Sequence, residues 1–80
     1  MPATPKQRQA WQSAFGLRVR SLRLEKQLSQ MYLAEAADMH VTYLSSVEHG
    51  HRNISLLNIC MIAKALKVEP AELLSPLAKL

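Results

Sequence analysis

The sequence has a single cysteine, Cys60, which excludes an intrachain disulfide and a cysteine-based zinc site and fits a reducing compartment. Apolar runs are short as well. The longest, Ile59 to Ala63, is far from the roughly 20 residues that a membrane-spanning helix needs, and the opening Met1-Pro2-Ala3-Thr4-Pro5-Lys6 contains no apolar signal region. A cytoplasmic chain without membrane contact is therefore expected. There are only two glycines, Gly16 and Gly50, and four prolines, and nowhere do apolar and polar residues alternate over the length of a strand. Eighty residues form one small domain that buries only about 60–65% of its unfolded surface, too little to enclose a large catalytic cleft. Basic residues are not scarce: ten Lys and Arg against six Asp and Glu give a net charge of +4, which favours a polyanionic partner.

Helical spacing recurs along the chain and predicts an all-α, compact five-helix domain. Residues 1–10 are polar and are expected to fray as an N-terminal extension, although Thr4-Pro5 could cap a helix. The domain proper spans 11–75, with a tail over 76–80. Trp11, Phe15, Val19 and Leu22 share one face of a first helix that runs to about Lys26. Ser29 is an N-cap for a second, Gln30 to about Ala37, with Met31, Leu33, Ala34 and Ala37 as its apolar positions. A short break, Asp38-Met39-His40, calls for a left-handed residue, which Asp38 tolerates. A third helix, Val41 to His49, turns Leu44, Val47 and Glu48 to one side and Val41, Thr42, Ser45, Ser46 and His49 to the other, before Gly50 as a left-handed cap. Ser55 caps a fourth helix with Leu56, Ile59, Ile62, Ala63 and Leu66 inward. Pro70 opens a fifth, Ala71 to Leu74.

The second and third helices, joined by a tight turn, carry the functional signal. The outward face of the third is short and hydrogen-bonding, which suits the floor of a DNA major groove. Gln30 stands at the start of the second, where free backbone N–H groups favour a phosphate. Arg23 follows Val19 by four residues and Glu48 follows Leu44 by four, so opposite charges point inward from two helices and predict a largely buried ion pair. Leu57 and Met61 lie on a separate flank of the fourth helix. With Leu73, Leu74 and Leu77 they predict an apolar surface for a homodimer. His49 and His51 with Cys60 match no zinc spacing, and Ser45, Ser46, Glu48 and His49 on one short helix cannot converge as a nucleophilic site. No metal, no cofactor and no catalytic residue is expected.

Phe15-Gly16-Leu17-Arg18-Val19-Arg20-Ser21-Leu22-Arg23, Leu28-Ser29-Gln30, Leu33-Ala34, Tyr43-Leu44-Ser45-Ser46-Val47-Glu48-His49-Gly50 and Ile62-Ala63-Lys64-Ala65-Leu66 occur in the order that marks XRE/Cro-type helix-turn-helix domains, which this chain resembles from about Phe15 to Leu74. Thr42-Tyr43-Leu44-Ser45 and Arg52-Asn53-Ile54-Ser55 are similar to the controller proteins of restriction–modification systems. The resemblance implies a lambda-repressor-like domain that binds operator DNA as a dimer and regulates transcription, helping or blocking RNA polymerase. By position it implies base reading by His40, Val41, Thr42 and Ser46. It implies phosphate contacts from Ser29, Gln30, Tyr43, Arg52 and Asn53, and it points to the same Arg23–Glu48 pair. Phage- or plasmid-type repressors and antitoxin-like regulators share much of this pattern. A protein-interaction adaptor on the same fold is the rival from another class, separable by whether duplex DNA is bound with steep salt dependence.

Overall fold

A computed structural model describes residues 1–80. Five α-helices follow one another: α1 Pro5–Glu25, α2 Gln30–Ala36, α3 Val41–Glu48, α4 Leu56–Leu66 and α5 Pro70–Leu74, continued by a 3-10 turn over Ser75–Lys79. No strand is present. Contrary to expectation, residues 5–10 are not frayed but helical: α1 begins at Pro5. Thr4 Oγ1 accepts from the Gln7 amide at 3.0 Å, and Gln7 Oε1 accepts from the Thr4 amide at 2.9 Å. This reciprocal cap satisfies two otherwise free donors, and Pro5 sits where its missing N–H costs nothing. The segment is helical without an apolar stripe, so hydrophobic periodicity does not reveal it.

Twelve buried apolar side chains form one core: Phe15, Val19 and Leu22 from α1, Leu33, Ala34 and Ala37 from α2 and its cap, Leu44 and Val47 from α3, Ile62, Ala63 and Leu66 from α4, and Leu73 from α5. Leu56, expected to face inward, is instead exposed, as are Met31 and Trp11 among the apolar positions of α2 and α1. Met31 lies on the outer side of α2, Trp11 is 38% exposed, and Leu56 is 74% exposed. The reason at Leu56 is local. Ile54, just before the Ser55 cap, packs on the core beside Ile59 one turn into α4, and this staple takes the place expected for Leu56. Leu73 departs the other way: it is completely buried, so it plugs its own core and cannot supply dimer surface.

α1 and α3 cross closely because Gly16 has no side chain. A Cβ there would collide with the Val47 carbonyl oxygen and lie 2.7 Å from that of Glu48. Four helices end alike, each with one residue at positive φ: Gln27, Asp38, Gly50 and Lys67. In each the next amide reaches back to the preceding turn: Leu28 to Arg23 O, Met39 to Ala34 O, His51 to Ser46 O and Val68 to Ala63 O.

Candidate nucleic-acid interface

The site rests on a buried carboxylate. Arg23 and Glu48 meet as two parallel hydrogen bonds, Nε to Oε2 at 2.7 Å and Nη2 to Oε1 at 3.0 Å, with side chains 8% and 1% exposed. The remaining Arg23 nitrogen, Nη1, donates to the Leu28 carbonyl at 2.8 Å. Glu48 Oε1 also accepts from Gln30 Nε2 at 3.0 Å. The sequence places Arg23 and Glu48 together; it does not reveal that Gln30 shares the carboxylate. The first residue of α2 is thus fixed to the inner end of α3, across the turn, with its amide oxygen left uncommitted. Every buried side-chain N or O in the chain has a partner.

α3 is capped by His40, whose Nδ1 accepts from the Thr42 amide at 3.1 Å. Ser29 caps α2 in the same way through the Tyr32 amide. Both residues therefore have structural work on one atom. Val41 is half-buried against the core, and Thr42 is exposed. Ser46 Oγ donates to the Tyr43 carbonyl at 2.6 Å and accepts from Arg52 Nε at 3.0 Å, so its hydroxyl is engaged internally. The Arg52 guanidinium also lies 5.4 Å from the Tyr43 ring centroid, within cation–π range. The Tyr43 hydroxyl accepts from Asn58 Nδ2 at 3.3 Å. Tyr43, Ser46, Arg52 and Asn58 thereby form one polar cluster at the foot of α3, which sequence spacing does not indicate; Asn53 is exposed beside it.

A shallow open groove runs from the start of α2 along the outward side of α3, lined by Gln30, Val41, Thr42, Ser45, Ser46, His49 and His51. His49, expected on this outward side, and His51, which sequence spacing does not place there, stand at its rim. Their ring centroids are 6.1 Å apart, and His49 Nδ1 lies against the Ser45 carbonyl at 2.7 Å. No three His, Cys, Asp or Glu side chains gather into a metal-holding group. No helix is long and apolar enough to cross a membrane.

Two short helices at a tight turn, the second presenting a polar outer face, define the helix-turn-helix class. The helix-turn-helix family profile matches residues 19–73, and the chain belongs to that family: it is a DNA-binding transcriptional regulator. Within it the chain is a homologue of the restriction–modification controller proteins. It is 52% identical over 61 residues to the control protein C.BamHI of Bacillus amyloliquefaciens, covering 75% of each chain. It is 42% identical over 66 residues to the control protein C.MunI of a Mycoplasma species, covering 81% of this chain and 89% of that one. The crystal structure of the restriction–modification controller protein C.AhdI from Aeromonas hydrophila matches with a TM-score of 0.79 at 47% identity, over 80% of this chain and 97% of that one. The profile match begins at Val19, so the first turns of α1 lie outside it.

Proposed function

We propose that the protein binds operator DNA as a homodimer and regulates a restriction–modification system, its bound dimer helping or blocking RNA polymerase at a neighbouring promoter. The observation that carries the reading is the division of labour around the groove. Thr42 is exposed in the groove, free to meet a base edge or a thymine methyl, and Val41 beside it can add an apolar contact. His40 stands at the N-terminal end of the same helix and can reach a base with the ring atom its cap leaves free. Around these residues the groups suited to phosphate are held from within: Gln30 by Glu48, Arg52 by Ser46 and Tyr43. Ser29, Tyr43 and Asn53 complete that ring. Ser46 acts here as a holder of Arg52 more than as a free reader.

The dimer surface in this reading comprises Leu57, Met61, Leu74 and Leu77, with Leu56 and Cys60 added because both are exposed on α4 and with Leu73 removed. A two-fold interface there would present two copies of α3 to half-sites about one DNA turn, roughly 34 Å, apart. Selection of bound duplexes from a random pool tests the proposal. The expected product is a two-fold symmetric site with half-sites one turn apart. Selected sequences lacking that symmetry would exclude the dimer, and no enrichment at low salt would favour the adaptor reading.

A further inference from the structure

The first three turns of α1 have no part in the groove and only a small part in the core, yet they are firmly built. The Thr4 cap closes their free end. Gln9 Nε2 and Gln12 Nε2 both donate to the Gly50 carbonyl, at 3.1 and 3.2 Å, and Gln9 also reaches Ser13 Oγ at 2.8 Å. Gly50 stands between His49 and His51, the two residues that form the rim of the groove. The segment is therefore tied to the edge of the DNA-binding face by two side-chain bonds. Its charge is one-sided. The first acidic residue of the chain is Glu25, so the charged side chains of residues 1–24 are all cations. Lys6 and Arg8 are exposed and, like every cation except Arg23, have no carboxylate partner. Residues three and four apart are neighbours on a helix surface. Lys6 thus lies one turn beyond Gln9, and Arg8 one turn beyond Gln12, which places each cation next in line after a residue that grips the rim.

We infer that the N-terminal turns of α1 are an additional contact to the DNA phosphate backbone, through Lys6 and Arg8, that widens the footprint of each protomer past the groove. The inference rests on the DNA-binding reading above. Continuity with the groove rim and complementarity of charge select duplex DNA as the occupant, and the contact is sequence-independent because flexible cations meet phosphate and not base edges. Its test is the double variant Lys6→Gln/Arg8→Gln, which keeps good helix formers in place. Wild type and variant are titrated against the selected operator duplex and a scrambled duplex at several salt concentrations, with helix content checked by circular dichroism. The expected result is a salt dependence of log K shallower by about two per protomer for the variant, equal on both duplexes, with operator preference unchanged. Between about 50 and 200 mM salt this corresponds to roughly threefold less weakening for each phosphate that is no longer neutralised. An unchanged slope with unchanged helix content overturns the inference, and would assign the segment to some other partner. Failure of the wild-type protein to bind either duplex overturns the DNA-binding reading itself, so the two failures are distinguishable.

Discussion

Glu48 is the residue on which most of the site depends. It is the only buried acid, and it satisfies two nitrogens of Arg23 and one of Gln30. Arg23→Ala leaves that carboxylate buried without its cation and should cost ~3–5 kcal/mol, read as a lower melting temperature; an unchanged melting temperature would mean that the pair is not stabilising. Thr42 and Arg52 should separate by mutation. Thr42→Ala is expected to change which operator is preferred, by ~1–3 kcal/mol per affected base pair, because its hydroxyl and methyl lie exposed in the groove. Arg52→Ala is expected to weaken operator and scrambled duplexes alike and to lower the salt slope by about one for each Arg52 removed. Titration of both variants on both duplexes checks this, and the opposite pattern would reverse the two roles. Arg23, Glu48, Gln30 and Thr42 could all be picked out from helical faces and family pattern. The Gln30–Glu48 and Ser46–Arg52 bonds could not, since a spacing rule says which way a side chain points but not which of several partners it meets.

At the scale of the helix, the ends are more informative than the middles. Three of the four left-handed ends carry a residue other than glycine: Gln27, Asp38 and Lys67. In each, the following residue is apolar and packs against the core, namely Leu28, Met39 and Val68. That packing offsets the roughly 1–2 kcal/mol that a side chain costs in this conformation. After α3 the following residue is His51, which is exposed, and there the position is filled by Gly50. Lys67→Gly should therefore stabilise the fold by ~1 kcal/mol, a rise of about 4–8 °C in thermal unfolding, since it relieves the strain and leaves the Val68 anchor intact. A fall in melting temperature would show that the gain is outweighed by unfolded-chain entropy. Gly50 and Asp38 are legible as turn residues in the sequence because both types favour this conformation. Gln27 and Lys67 are not, because tertiary packing one residue later decides them. The same limit explains α4, where its cap and faces follow from the sequence but the replacement of Leu56 by Ile54 depends on how the loop enters the helix.

For the whole molecule, the 21 residues of α1 span about 31 Å and set the 38 Å long axis of a body only 22 by 20 Å across. So narrow a body cannot fold away Leu56, Leu57 and Leu74, which stay exposed on α4 and α5. Leu57→Glu is expected to yield a folded monomer in sedimentation equilibrium, with cooperative operator binding abolished. A wild-type protein that is monomeric at high micromolar concentration, with and without DNA, would remove the dimer from the proposal. The shared carboxylate of Glu48 has a further consequence, for how such a regulator changes its target over evolutionary time. A substitution at Gln30 cannot alter recognition alone, because it also removes one of the three hydrogen bonds to a buried acid and leaves Oε1 to Arg23 Nη2. Thr42 has no such obligation. New operator preferences should therefore arise first at Thr42, where drift is nearly neutral for folding, while Arg23 and Glu48 change together or not at all and Gln30 changes at some cost in stability.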